Sequence, residues 1–481
     1  MVIDNLSSSS SAQVASSEPI PSVNLLTMLR LGLFQLGQGM MFILTLGVLN
    51  RVMIQELAIP ATVVAVTLAM PLFVSPARVW FGQMSDAKPL FGYHRTGYIW
   101  VGTAVYTIAS FIALQVIWQL GNVVQAAGGW SWTIQTFAWT GLLALIFALY
   151  GIASSASSTT FTALLVDVSE EDNRSKLVGI VWAILMVGII VGAIVSGKLL
   201  EELATDAPIE ILHAAINRLF IIIPTIVFGL AVLATVGVEK KYSQYSSRST
   251  LVEREDNITF GRALRILTSS RQNKLFFSFL VVMTISLFMQ DPIMEPYAAN
   301  VFGMPLSEST KLNAFSGIGS LISLITTGFL IVPRLGKLRT AKLGCILVAI
   351  CVGLLSLSGF SSNPALLKVA LFLFGLASGV TTTGSISLVL DLTAAETAGT
   401  YIGAWGLGQA MARGIAVATG GSVLDLGQSL FTTPEVAYGL VFGIEALGMV
   451  LAVWLLNRID VAEFRTNAKL AITSVLETEL D

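Results

Sequence analysis

Charge is scarce in this chain. Asp, Glu, Lys and Arg make up 12% of its 481 residues, about half the share that a water-facing globule carries. So little charge cannot cover the surface of several soluble domains in series. Cysteine is nearly missing, and the two present, Cys345 and Cys351, share one apolar run, which does not indicate a disulfide framework. Histidine is as rare, with His94 and His213 alone, so no Cys/His cluster has the spacing of a metal site. Basic residues are not in excess: 27 Lys and Arg stand against 29 Asp and Glu, which argues against nucleic acid as a partner. No phosphate-cradling glycine loop occurs, so direct ATP drive is not expected. No nucleophile stands beside a base, so an enzyme is not expected. Positive charge is also absent before Arg30. The serine-rich start, with its unbroken run Ser7 to Ser11, therefore lacks the basic opening of a secretory signal. Residues 1–24 read as a disordered cytoplasmic tail.

What is abundant is hydrocarbon. Apolar residues make up 54% of the chain and the mean hydropathy is +0.80. A bilayer core of ~30 Å needs about 20 apolar residues per helix, and only fully bonded helices or closed barrels survive in lipid. Windows of that length predict helices near 25–50, 60–83, 97–120, 134–166, 177–200 and 219–238. A second set falls near 275–300, 308–333, 341–360, 365–390, 399–421 and 436–457. The chain thus divides into a six-helix bundle over 25–238, a linker over 239–274, a second bundle over 275–457 and a cytoplasmic tail over 458–481. Within the linker, Thr259 to Leu267 alternates basic and apolar positions at helical spacing, as an amphipathic helix on a lipid surface does.

Orientation follows from the basic residues, which stay on the cytoplasmic side. With both termini inside, 20 of the 27 fall on the inner side and five outside (Arg51, Lys198, Arg218, Lys311 and Lys368). Two remain within spans, Arg78 and Arg413. An internal repeat supports two related halves. Asp167 closes Ala163-Leu-Leu-Val-Asp167, Asp391 closes Ser387-Leu-Val-Leu-Asp391, and Gly179 and Gly403 keep the same 224-residue offset. The expected fold is all-α and integral to the membrane, with twelve transmembrane helices in two pseudo-symmetric bundles.

Charges inside spans mark cavities or pairs, because each costs ~2.5–3.5 kcal/mol at mid-bilayer. The seventh helix carries Gln290-Asp291-Pro292-Ile-Met-Glu295-Pro296-Tyr297, and its two prolines break the backbone ladder. At ~1.5 Å per residue, Asp291 lies roughly 24 Å from the inner face and Arg413 roughly 20 Å. The two are expected to neighbour each other across helices seven and eleven, in a cavity with Gln290, Glu295 and Tyr297. Glu295 reads equally as an outer-interface residue. Gln35, Gln38 and Gln409 either line that cavity or bond neighbouring helices. Arg78, near an inner helix end, is expected to snorkel. Glycine pairs four apart (188/192, 375/379, 399/403 and 439/443) read as close helix packing.

The loop Gly82-Gln-Met-Ser-Asp86-Ala-Lys88-Pro-Leu-Phe-Gly92-Tyr-His94-Arg95 resembles the G-x-x-x-D…G-x-R loop of major facilitators. Asp86 and Arg95 there can latch two halves by charge-assisted bonds, or form an ordinary positive turn. Asp167 and Arg174, with Asp391 and Glu396 at the repeat, read as a gating set or as solvated charge.

Further stretches carry a narrower likeness: Leu49-Asn50-Arg51-Val52-Met53-Ile54, Tyr98-Ile99-Trp100, Gln290 through Tyr297, Asp391-Leu392-Thr393 and Ile402-Gly403-Ala404-Trp405-Gly406. In order across both halves they resemble the PucC/LhaA-type family of phototrophic bacteria, within the major facilitator superfamily. The resemblance implies help in assembling light-harvesting complexes, by binding or delivering chlorophyll or bacteriochlorophyll to nascent antenna polypeptides. It implies antenna polypeptides and pigment-synthesis enzymes as partners, and a thylakoid, intracytoplasmic or plasma membrane as the location. A magnesium pigment needs an oxygen or imidazole ligand. With neither histidine mid-span, Gln38, Gln290, Asp291, Glu295 or a water is the expected donor. Two other readings stay open, a proton-coupled transporter of an amphipathic small molecule and a scaffold for photosynthetic membrane proteins.

Overall fold

The computed structural model describes residues 23–169, 171–201, 209–243, 271–392 and 398–459. The serine-rich start, the amphipathic stretch 259–267 and Glu396 lie outside these residues.

The first half runs α1 (Leu25–Glu56), α2 (Ala61–Phe73), α3 (Ala77–Ala87), α4 (Thr96–Ala126), α5 (Ile134–Val168), α6 (Glu171–Leu199), α7 (Ile209–Thr235) and the short α8 (Val238–Tyr242). The second runs α9 (Arg271–Phe288), α10 (Met294–Phe302), α11 (Leu306–Leu335), α12 (Lys337–Phe360), α13 (Pro364–Leu392), α14 (Ala398–Leu430) and α15 (Pro434–Asn457). The described residues contain no strand. Nine helices among them are long and apolar enough to cross a membrane; Ala61–Phe73 and Lys274–Phe288 are shorter apolar helices. Both short ones stop at a break. Val74-Ser75-Pro76 divides α2 from α3, and residues 289–293, with Pro292, divide α9 from α10, since proline removes a ladder bond. Pro296 sits in the first turn of α10, where its missing N–H is no loss.

Each half is a bundle in which helices adjacent in sequence pack together, α4 on α5 and α12 on α13. The halves meet along two seams, α2 with α14 and α6 with α11. These pair the second helix of one half with the fifth of the other, as a duplicated unit requires. The repeat is visible in the element ends as well: α5 ends at Val168 and α13 at Leu392.

Burial is inverted relative to a soluble bundle. On α5, Leu142, Leu145, Leu149 and Ile152 lie on one stripe at helical spacing and are 36–69% exposed. Such a wide apolar exterior is solvated by acyl chains, not by water. Ser155, Ser157 and Thr160 on the same helix are buried, Ser157 bonding Thr103 of α4 at 2.8 Å.

Glycine makes the closest helix contacts. A Cβ at Gly188 would collide with the Leu36 carbonyl, one at Gly192 would come 2.8 Å from Met40 Cα, and one at Gly375 would meet the Ser316 carbonyl. The expectation fails at Gly443, where nothing lies within 4 Å; that side of α15 faces outward. The side chains around Gly399 and Gly403 lie outside the described residues.

Three boundaries differ from the sequence reading. The first helix continues past residue 50 to Glu56, which carries Arg51 out of the loop and into the helix. Its turns widen to π geometry over Ile43–Leu49 and Val52–Glu56. The helix expected near 219 begins at Ile209, so His213 is helical, stacked on Trp118 at 3.7 Å. The linker starts as α8, where Glu239 accepts hydrogen bonds from the N–H groups of His94 (2.7 Å), Arg95 (3.1 Å) and Thr96 (2.7 Å). A carboxylate there offsets the orphan donors and positive dipole end of α4.

Candidate functional site

The break between α9 and α10 opens a stretch of irregular backbone deep in the second half. Asp291 sits in it, and Arg413 rises from the middle of α14. Arg413 Nη2 donates to Asp291 Oδ2 at 3.0 Å, the two side chains being 30% and 15% exposed. The guanidinium lies over the Phe288 ring at 4.1 Å and 5.4 Å from the Phe42 ring of α1. This cation is therefore held by a carboxylate and an aromatic of its own half, and it touches an aromatic of the other.

Four residues further along, Glu295 is 2% exposed. It accepts a hydrogen bond from Asn313 Nδ2 of α11. The opposing wall is Gly47, in the π-wound part of α1, where a Cβ would come 3.1 Å from Glu295 Oε1. Arg51, one turn on, is 4% exposed and within electrostatic reach of Glu295. Two acids and two arginines thus share the interface between α1, α9–α10, α11 and α14.

Arg51 also belongs to a set of bonds joining the halves. Its Nη2 donates to the Met304 carbonyl at 2.8 Å and its Nη1 to Ser309 Oγ. Asn50 Nδ2 donates to the Pro292 carbonyl, satisfying an acceptor that the helix break frees. Gln55 Nε2 donates to Asn300 Oδ1 at 2.6 Å. Asp425 of α14 accepts from Ala61 N at 2.9 Å and Thr62 N at 2.7 Å. Pro60 gives α2 no side-chain cap of its own, so the second half supplies one. A cleft of about 530 Å³ lies beside this junction, lined by Ile54, Gln55, Pro60, Asn300, Asp425 and Gln428.

Other expected cavity residues lie elsewhere. Gln38 Nε2 donates to Tyr106 Oη at 3.4 Å, a bond inside the first half, and Gln35 is half-buried on the same helix. Tyr297 is buried in the core of the second half, 5.1 Å from both Tyr438 and Phe442, and donates to the Leu355 carbonyl at 2.7 Å. Gln290 is buried with its Oε1 unpartnered. Past the break, Tyr297 thus faces the core of the second half and not the cleft. Gln409 stands half-buried one turn before Arg413.

The inner-end set divides in the same way. Arg95 Nε donates to Asp167 Oδ2 at 2.7 Å, and its Nη1 donates to Ser85 Oγ at 2.5 Å. These bonds tie the inner ends of α3, α4 and α5 together within the first half. The reason is reach, since α4 and α5 pack side by side and their inner ends carry both residues. Arg78 is exposed on α3. The side chains of Asp86, Arg174 and Asp391 lie outside the described residues.

Sequence reasoning missed Asn50, Asn313, Asp425, Glu239 and Glu445. Glu445 was the legible one. It is a lone acid midway along the apolar α15, and it is fully buried.

A family model described as PUCC protein matches residues 48–464. The chain is 30% identical over 458 residues to "Protein PucC" of Rhodobacter capsulatus, covering 92% of this chain and 93% of the relative. It is 29% identical over 442 residues to a protein of the same species called "Bacteriochlorophyll synthase 44.5 kDa chain", covering 89% and 94%. Among solved structures, the nucleoside transporter NupG superimposes with a TM-score of 0.62 at 14% identity, covering 90% of this chain and 98% of that one. A bacterial homologue of the iron transporter ferroportin, in its inward-facing state, gives 0.61 at 15%, covering 92% and 100%. The fold is that of the major facilitator transporters.

Proposed function

The chain is a member of the PucC protein family, a multi-pass membrane protein of major facilitator fold, and from that premise we propose that it assists assembly of chlorophyll-type light-harvesting complexes. Its cargo is chlorophyll or bacteriochlorophyll, handed to nascent antenna polypeptides in the photosynthetic membrane of a phototrophic bacterium. The observation that carries this reading is the family match across both halves, whose relatives come from phototrophic bacteria.

The interface between the halves suits a flat amphipathic cargo. It pairs the aromatic rings of Phe42 and Phe288 with one ion pair and one buried acid. The pigment's central magnesium asks for an oxygen or imidazole ligand. His94 Nδ1 bonds the Ser85 carbonyl and His213 stacks on Trp118, so a ligand from this interface would be an oxygen, with Gln409 beside Arg413 the least engaged. The broad apolar exterior of α5 offers antenna helices a place to lie.

Deleting the gene and recording the absorption spectrum of membranes tests the reading. Loss of antenna bands, restored by the wild-type gene, is the expected result; unchanged bands overturn it. A second reading, a proton-coupled transporter of an amphipathic small molecule, is favoured by the Asp291–Arg413 pair of the second bundle, set against Phe42 of the first in a transporter fold. It predicts pH-driven uptake into proteoliposomes that Asp291→Asn abolishes. Antenna polypeptides that co-purify without any pigment would point instead to a scaffold.

A further inference from the structure

We propose that Glu445 is a proton-binding site whose charge state acts on the Asp291–Arg413 pair. Glu445 lies midway along α15, its side chain wholly buried and both its oxygens without a hydrogen-bond donor. A bare carboxylate so placed is costly, and neither the pigment reading nor the transporter reading makes use of it.

The register of α15 identifies what it faces. Gly448 abuts Ser286 of α9, while Phe442 and Tyr438 pack on Tyr297 of α10. Glu445, between these contacts on an antiparallel helix, faces the break at residues 289–293. Gln290 stands in that break, buried, with its own Oε1 unpartnered. Two orphan acceptors on facing elements require a donor. A proton on Glu445 turns one of them into an O–H donor and removes the charge together.

The ionisable groups around it, among the described residues, are few. From the break comes Asp291, within electrostatic reach of Glu445 and paired with Arg413 of α14. From α12 come Cys345 and Cys351, buried in the same core, and toward the outer end lie Tyr297 and Tyr438. Glu295 is engaged by Asn313. An ionised Glu445 thus stands as a second negative charge beside Asp291, the carboxylate that holds Arg413. Its guanidinium also lies against Phe42 of the other half, so moving it alters the contact between halves. Release of the Glu445 proton to solvent converts a neutral acid into a charge that repels Asp291 and so disturbs its pair with Arg413. This holds whatever cargo the cleft takes, so it stands or falls separately from the pigment reading.

The test uses the full chain in lipid nanodiscs. Infrared difference spectra at neutral pH are expected to show the carbonyl stretch of a buried protonated carboxylic acid, lost in Glu445→Gln. A Phe42→Trp reporter is expected to change fluorescence as pH rises through the loss of that band, and to stay constant when Glu445→Gln is added. The same band in wild type and Glu445→Gln overturns the assignment, as does a band that emerges only when sodium is replaced by choline, which would make the occupant a metal cation. A reporter that still responds to pH in Glu445→Gln overturns the action of Glu445 on the Asp291–Arg413 pair. Should Glu445→Gln fail to yield monodisperse protein, Glu445→Asp takes its place. It must then shift the band, and an unshifted band counts against the site.

Discussion

At the scale of single residues, the interface is held by charges that have few alternatives. Arg413 and Asp291 are each other's ion-pair partner at 3.0 Å, in a place where a lone charge is poorly solvated. Removing one member of a buried pair costs about 3–5 kcal/mol, more than deleting both. Arg413→Ala should therefore lower thermal stability in detergent by roughly the smaller figure, given the partial exposure of the pair. The double variant Asp291→Asn/Arg413→Gln should recover most of that loss, and a double variant no better than the single one would refute the pairing energetics. Arg51 shows how a residue's role depends on its surroundings. It counts as an outer-loop charge in the sequence and becomes a buried donor to Met304 and Ser309 because the helix extends another turn and a half.

At the scale of elements, helix contacts and helix ends carry the stability. Gly188 of α6 meets the backbone of α1, whereas Gly443 of α15 meets nothing. Gly188→Ala should destabilise by about 1–3 kcal/mol through overpacking. Gly443→Ala should be neutral or gain up to about 1 kcal/mol from helix propensity. Thermal melting of the two variants side by side checks this, and equal effects would mean that the α1–α6 approach is misjudged. Asp425 caps α2 from the opposite half. Asp425→Ala should cost about 1–2 kcal/mol, as loss of a cap does. It should also make a cysteine placed at Gln55 more reactive to a membrane-impermeant thiol reagent, because the cap is one of the bonds that close that junction. Unchanged reactivity would show that the other cross-half bonds suffice. Proline explains both interrupted helices, and in the seventh the interruption joins the halves, since the break frees the Pro292 carbonyl for Asn50.

At the scale of the whole molecule, two bundles with an apolar exterior meet along seams that repeat by pseudo-symmetry. The exterior is the part that lipid solvates, and a charge there is expensive. Leu145→Arg, on the exposed stripe of α5, should carry about 2.5–3.5 kcal/mol of insertion cost and sharply reduce membrane-integrated protein, measured as the yield in the membrane fraction. Normal yield with loss of antenna polypeptides on purification would show that this face is covered by protein. The hydrogen bonds that tie the cleft end, from Asn50 to Asp425, involve α1 or α2 of the first half, while a Lys311–Glu201 ion pair at 3.6 Å joins α11 to the end of α6. Any opening of the cleft at that end must break those hydrogen bonds together.

Composition and periodicity alone determined that the chain lives in lipid, that its helices come in two related sets and that Asp291 and Arg413 had to find shelter. Those conclusions follow from a local cost, that of unsolvated charge and unpaired backbone, which each segment bears wherever its neighbours lie. The tertiary structure decided the rest. It turned Tyr297 into the core, gave Arg95 a partner in its own half, and brought Asn313 to Glu295 and Asp425 to the head of α2. Those outcomes depend on which helix faces are brought together, and residues hundreds of positions apart meet only after both bundles have packed.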